Sequence, residues 1–382
     1  MTTTDVAVIG GGVIGLAVAR ELRLAGVADV LVLEREPAIG QGSSSKANGG
    51  VRAQFTTRPN IDFSRYSIEV FERLQQESDG ALAFHQVGYL LFTGTEAGKR
   101  GLRAGCDLQR ARGVDTEWLA PQDVLRLAPF LRPDGLTAGT FHSRDGFLDP
   151  GAVLGVFAEQ CRRLGVTIRV KAEVGAVERV GGAFLVKTRT DEVSAGHVVN
   201  AAGPDASAIA AMLGADLPVE PVRRNLAFVQ APADPLIPMC VDLDTGVLVR
   251  REVGGGYVIA YSNPDDPPSR DTTLDPEFLP QVASRIGNRF PFVEALPIDP
   301  RQCWAGLYPE TPDHHAVIGA NESDPRFVHC AGFGGHGVMH SPAAARAVAE
   351  IVVEGRCETF DLHALRPSRF AEHDLVTETA VF

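Results

Sequence analysis

A chain that runs from Asp5–Gly15, DVAVIGGGVIG, to Val30–Glu34, VLVLE, about twenty residues later has few folds open to it. An apolar strand enters Gly10-Gly11-Gly12-Val13-Ile14-Gly15, and a helix follows through Leu16–Ala25. The spacing is G-x-G-x-x-G. Gly10 permits the tight turn, Gly12 lets backbone approach a pyrophosphate, and Gly15 lets the helix pack on the strand. Val13 and Ile14 open the helix, whose first N–H groups and positive dipole end face the phosphates. Glu34 ends the second strand, where a carboxylate accepts from a ribose 2′-hydroxyl; Arg35 follows at the same nucleotide end. A glycine-rich turn alone says little. Inside a strand–turn–helix–strand unit with its acid, it indicates a dinucleotide, and whether NAD or FAD is left to the rest of the chain.

With 382 residues the chain holds two domains sharing one core. A net charge of −12 argues against nucleic acid or an anionic membrane as partner. The 6 cysteines show no C-x-x-C spacing, so neither disulfides nor a thiolate metal site are expected, and no H-E-x-x-H run is present. The N-terminal apolar run is the nucleotide strand, not a signal peptide, and no segment is apolar for the ~18 residues of a membrane helix. The expectation is a cytoplasmic protein without a membrane span.

Gly40–Phe55, GQGSSSKANGGVRAQF, has neither helical nor strand period and reads as a loop held against something polar. Asn60–Glu77 reads as a helix. Asp149 and Pro150 suit the N-cap and first position of another. Strands follow at Val166–Val170, Val174–Val180, Ala183–Thr188 and His197–Asn200, the last entering Ala201-Ala202-Gly203-Pro204 and a helix to Leu213. From Val219 the texture changes: Asn225–Gln230 alternates, and Thr245–Ser262 reads as a hairpin turning at Gly254-Gly255-Gly256. Pro276–Arg289 reads as a helix. Phe327–Ala331 is a strand before Gly332-Phe333-Gly334-Gly335-His336-Gly337, and Ser341-Pro342 is expected to start the last helix, which runs to Gly355.

Taken in order, the fingerprint, Ser43-Ser44-Ser45…Gly49-Gly50-Val51-Arg52, Asn200–Pro204, Pro221-Val222-Arg223-Arg224, Trp304-Ala305-Gly306-Leu307-Tyr308…Thr311-Pro312-Asp313 and Gly332–Gly337 resemble the D-amino-acid-oxidase superfamily of FAD-dependent oxidoreductases. The likeness covers essentially the whole chain and is greatest to members similar to the β-subunits of sarcosine oxidase and proline dehydrogenase. It implies a Rossmann-like, glutathione-reductase-type α/β FAD-binding domain with an inserted α+β substrate domain on an antiparallel sheet. The expected segments are 1–80, 145–218 and 305–360 for FAD, 81–144 and 219–304 for substrate, and 361–382 as a C-terminal tail. It further implies Val174 beside the adenine, Ala201, Ala202 and Gly203 near the pyrophosphate, and Gly306, Gly332–Gly337 and Met339 around the flavin. Some relatives tether flavin through a His in the Ser-rich loop or a Cys in the Trp304–Tyr308 stretch. This loop has no His and Gly306 takes the Cys place, so noncovalent FAD is expected; Cys303 reads as an ordinary thiol.

In such enzymes hydride passes from the carbon next to nitrogen to flavin N5, and the imine is hydrolysed. The resemblance places Arg52 where relatives hold the substrate carboxylate. An arginine paired with a local acid or a flavin phosphate is the other reading. Relatives carry a carboxylate-binding Lys where Met339 stands, or an Arg where Tyr308 stands, so Arg250 or Arg251 of the hairpin is a candidate replacement; a solvated strand pair is the alternative. His336 tunes the ring or is satisfied within its loop. His314 and His315 read as structural or solvent-facing, and Tyr257, Tyr261 and Phe55 as pocket lining or plain core. The lysine that aids oxygen activation in some relatives would fall near Val258-Ile259 and is absent, which favours a dehydrogenase handing electrons to a carrier or partner subunit over an oxidase. The leading reading is oxidation of a sarcosine-, proline- or glycine-like amine. Oxidation of a 2-hydroxy acid and a non-catalytic flavoprotein subunit or assembly factor remain as alternatives.

Overall fold

Thr2–Ile9 buries its second half because it lies in the middle of a sheet. It runs parallel to Val30–Leu33 on one side and to Glu192–Asn200 on the other. Val6 and Val8 join the core formed with Leu16, Val18 and the last helix, while Ala7 and Ile9 pack with Phe184, Val186 and Ile209. Strands covered on both faces read as continuous apolar runs, as these do. The eight-stranded sheet has the order Val317–Asn321, Asp324–Ala331, Glu192–Asn200, Thr2–Ile9, Val30–Leu33, Thr167–Arg169, with the hairpin Val174–Val180/Ala183–Thr188 attached to Glu192–Asn200. Ile9 is level with both Leu33 and Asn200, so these strands deliver Gly10, Glu34 and Ala201 to one edge. The computed structural model describes residues 2–294 and 296–381; Met1, Ala295 and Phe382, which fall inside the expected segments, lie outside the described residues.

A second eight-stranded sheet has the order Trp304–Glu310, Glu220–Val229, Tyr257–Tyr261, Val247–Arg251, Met239–Asp242, Tyr89–Thr93, Ala138–His142, Glu117–Leu119. The hairpin expected between Thr245 and Ser262 is there. Two expectations need correction. The sheet is mixed rather than antiparallel, because Met239–Asp242 pairs parallel with Tyr89–Thr93 and so joins the two sequence segments that build it. Trp304–Glu310 is hydrogen-bonded along Glu220–Val229, so the expected boundary at 305 cuts through a strand of this sheet. One face packs Val247, Val249, Tyr257 and Tyr261 with Phe278 and Val282 of the helix Phe278–Ile286. Tyr257 and Tyr261 are therefore core. The other face carries Tyr89, Met239 and Leu248. It is turned toward Gly50, where an added Cβ would lie 2.1 Å from the Tyr89 hydroxyl and 3.4 Å from Met239 Cε.

Helices Arg58–Glu77 and Pro150–Arg163 form where expected, and the Asp149 carboxylate accepts from the Ala152 N–H at 2.8 Å as an N-cap. The last helix starts a turn early. It spans Gly337–Glu354 with Pro342 inside, and ends on Gly355 in the left-handed region at φ 78°. Pro342 leaves the Val338 carbonyl without its helical donor. The Ser341 hydroxyl, expected as the N-cap, donates to that carbonyl at 2.8 Å instead. The segment 361–381 is no loose tail: Arg369 and Asp313 form an ion pair at 2.8 Å with both side chains fully buried, and Glu378 is fully buried as well.

Candidate active site

The edge that collects Gly10, Glu34 and Ala201 opens on a cavity of about 650 Å³ at the C-terminal ends of the parallel strands, where α/β sheets bind ligands. Gly10, Gly12, Val13, Ile14, Glu34 and Arg35 line one end of it with Val174, Ala201, Ala202 and Gly203. Gly10 has φ +113°, and a Cβ there would lie 2.3 Å from the Ala201 carbonyl oxygen. A Cβ on Gly15 would come within 1.9 Å of the Gly10 carbonyl oxygen, so Gly15 is the close helix–strand contact and not part of the lining. The Glu34 carboxylate accepts from the Gly11 N–H at 2.7 Å and the Glu36 N–H at 2.8 Å, so it shapes the turn as well as facing the cavity. Arg35 reaches Asp205 at 2.7 Å, and Arg270 reaches the other oxygen of that carboxylate at 2.6 Å.

The Ser-rich loop divides its work. Ser44 Oγ accepts from the Val13 N–H at 3.0 Å and so ties the loop to the helix start. Ser43 lines the cavity, and its buried hydroxyl has no hydrogen-bond partner among the described residues. Ser45 is exposed and outside the lining. Lys46, which the sequence did not single out, lines the cavity, and its carbonyl accepts from Trp304 Nε1 at 2.9 Å. Gly49 and Gly50 are small for protein neighbours: a Cβ would lie 2.1 Å from the Leu148 carbonyl oxygen at the first and 2.1 Å from the Tyr89 hydroxyl at the second.

At the other end the cavity is lined by Leu307, Tyr308 and Pro309 of the second sheet and by Gly332, Phe333, Gly334, Gly335 and Gly337. Gly306 itself is outside the lining; a Cβ there would lie 3.0 Å from Lys46 Cβ. Gly335 is required by Tyr308, whose ring would be 2.7 Å from an added Cβ. Since the helix begins at Gly337, its N–H groups and positive dipole end start at the cavity wall. Met339, two residues further on, is 5 % exposed and belongs to the apolar core.

Arg52 is buried beside these groups. Its Nη1 donates to the Gln54 carbonyl at 2.6 Å, its Nη2 donates to the Ala380 carbonyl, and its guanidinium lies 3.8 Å over the Phe55 ring. Burial pulls its pKa below the usual arginine value, while Tyr89, Glu378, Asp145 and Tyr308 push back. His336 stands edge-on to Phe55 at 4.9 Å. Burial first, then the Arg52 charge, holds its pKa well below the histidine range, so the ring is neutral. Burial raises the Tyr308 phenol.

The hairpin arginines are not a solvated pair. Arg251 points away from the cavity into the opposite face, where it donates to the Tyr257 hydroxyl and pairs with Asp234 at 3.1 Å. It is not among the described residues that line the cavity. Arg250 lies on the Tyr89 face, 4.5 Å over Phe147 and paired with Glu252. His315 is fully buried and His314 pairs with Glu310 at 3.3 Å. Cys303 is half-buried outside the cavity lining, whereas Cys330 lines it, with burial pushing its thiol up.

The residues present fit FAD. A partnerless buried Ser43 hydroxyl, a glycine turn that a Cβ would fill and a helix start at the far wall give one cavity polar anchors at both ends.

Comparison with known proteins agrees. The FAD dependent oxidoreductase family (DAO) matches residues 5–351. FAD-dependent oxidoreductase domain-containing protein 1 of Xenopus laevis is 28% identical over 422 residues, covering 98% of this chain and 84% of that protein. Glycine oxidase of Bacillus licheniformis is 28% identical over 375 residues, covering 96% and 97%. The crystal structure of L-proline dehydrogenase from P. horikoshii superposes with a TM-score of 0.92 at 28% identity, covering 98% of this chain and 100% of that one. With its cavity, its glycine turns and this match together, the chain belongs to the FAD dependent oxidoreductase family.

Proposed function

We propose that this enzyme oxidises the C–N bond of a small amino acid or secondary amine of the sarcosine, proline or glycine kind, with Arg52 receiving the substrate carboxylate. The observation that carries the reading is a buried guanidinium, 3 % exposed, in the field of Tyr308 on the cavity wall and of Tyr89 on the second sheet. A buried cation beside a cofactor cavity recognises an anionic substrate group, and arginine suits a carboxylate. Glycine oxidase and L-proline dehydrogenase among the similar proteins support the substrate class.

FAD, held without a covalent bond, supplies the two-electron acceptor. The Gly10–Gly15 turn and Ser43 would hold its phosphate side, and the Gly337 helix start would offer N–H groups and a positive dipole end to an electron-rich edge of its ring. Tyr308, pressed against Gly335, fixes the wall against which substrate lies. Neutral His336 stands behind Phe55 and puts no positive charge next to that of Arg52. The second sheet is the substrate side, with the Tyr89 face closing over Gly50.

The test is the visible spectrum of the purified protein during anaerobic additions of sarcosine, L-proline, D-alanine, glycine and L-2-hydroxyglutarate. The flavin band is expected to bleach with one of the amines. Bleaching by the hydroxy acid alone, or by none of them, overturns the reading.

A further inference from the structure

We propose that Glu378, together with the backbone carbonyl of Ala380, is a positioning element for Arg52, so that carboxylate capture depends on the segment 378–380 being docked. The inference rests on the assignment of Arg52 as the carboxylate-binding residue.

Glu378 is far from Arg52 in sequence, fully buried, and anchored at the start of the helix Arg58–Glu77. Its carboxylate accepts from the N–H groups of Thr56 at 3.0 Å and Thr57 at 3.1 Å, and from both threonine hydroxyls. The Asn60 amide donates to it at 3.1 Å. Thr57, the N-cap residue of that helix, makes no side-chain cap of its own, so Glu378 supplies the negative group that a helix start favours. The backbone is fixed as well: the Glu378 N–H donates to the Asp313 carbonyl at 3.1 Å, and Asp313 is locked by Arg369.

Two residues on, the Ala380 N–H folds back to the Glu378 carboxylate at 2.9 Å, and the Ala380 carbonyl accepts from Arg52 Nη2. Arg52 Nη1 is held by the Gln54 carbonyl two residues along the chain, and Phe55 covers one face. A guanidinium is planar with its donors in a rigid fork. The bonds to the Gln54 and Ala380 carbonyls and the stacked Phe55 face therefore help to set both its plane and its rotation within that plane. One of those bonds comes from the 378–380 segment. The Glu378 carboxylate also opposes the effect of burial on Arg52, which helps to keep a cation in a dry place. The same carboxylate staples Thr56, Thr57 and Asn60, so the run from Arg52 to Asn60 is held as one unit.

The test measures binding of acetate, which is not oxidised, and of pyrrolidine, an amine without a carboxylate, by perturbation of the flavin absorbance of the holoenzyme. Glu378→Ala is expected to weaken acetate binding roughly tenfold, the size of one charge-assisted contact, with pyrrolidine binding kept within about twofold. Glu378→Gln keeps side-chain volume and an acceptor oxygen, and is the variant to use should the alanine protein not fold; its expected effect has the same direction and is smaller. Unchanged acetate affinity in both variants, while Arg52→Ala abolishes it, overturns the positioning role and leaves the Arg52 assignment standing. Equal weakening of acetate and pyrrolidine shows a general loss of structure and also overturns it. If Arg52→Ala itself leaves acetate binding unchanged, the assignment of Arg52 fails and the positioning role falls with it.

Discussion

The Ser341 hydroxyl donates to the Val338 carbonyl at 2.8 Å, within the helix Gly337–Glu354. Proline at 342 cannot make the bond that this carbonyl would receive in an unbroken helix. The serine supplies it instead and lets the helix begin at Gly337, at the cavity wall. Ser341→Ala should leave the carbonyl of the buried Val338 unsatisfied, costing about 1–3 kcal/mol. The check is thermal unfolding of the holoenzyme, in which a midpoint equal to that of the parent would show the hydroxyl to be dispensable.

Arg52→Ala should raise KM for carboxylate substrates by roughly ten- to a hundredfold, the loss of a hydrogen-bonded charge contact, while the protein still carries flavin. Arg52→Lys should recover only part of this, because an ammonium lacks the planar fork. Steady-state kinetics alongside the flavin-to-protein absorbance ratio separates the cases. Loss of flavin with unchanged KM would place Arg52 in the cofactor site.

Gly10→Ala should purify without flavin. The position needs φ +113°, and its new methyl would lie 2.3 Å from a backbone carbonyl oxygen that has no room to yield. The absorbance ratio at the flavin band and at 280 nm reads this directly. Near-normal flavin content would mean that the turn is softer than its geometry states.

Much of this was legible in the sequence because it is local. Gly10, Gly12 and Glu34 sit within one strand–turn–helix–strand unit, and Asp149-Pro150 cap their own helix. What escaped is what distant segments decide. Ser341-Pro342 reads as a helix start, and only the Val338 carbonyl shows otherwise. Alternation puts Arg250 and Arg251 on opposite faces of the hairpin strand without saying what covers each; the helix Phe278–Ile286 covers the Arg251 face while the Arg250 face meets Tyr89 and Phe147. Gly49 and Gly50 read as cofactor glycines, yet they make room for Leu148 and Tyr89. Glu378 gives little local signal, since apart from the Ala380 N–H every group its carboxylate bonds lies between Thr56 and Asn60.

Acid should weaken the fold through His329, on the strand beside Asn200. Burial lowers its pKa to about 4, against about 6.5 in an unfolded chain. The folded form therefore binds fewer protons than the unfolded one across that window, so stability falls as pH drops from about 6.5 toward 4. His329→Leu should flatten this part of the pH dependence of the thermal midpoint. A parallel curve would assign the acid limb to other groups.

The strand Asp324–Ala331 pairs with Glu192–Asn200, which pairs with Thr2–Ile9, and the helix behind the cavity begins only at Gly337. During synthesis, the first glycine turn thus waits for most of the chain before its pocket has a far wall. Cofactor capture is a late event, coupled to closure of the whole molecule rather than to folding of the N-terminal unit. A ribosome-stalled chain ending before residue 324 would hold the fingerprint complete and still have no place to keep the dinucleotide.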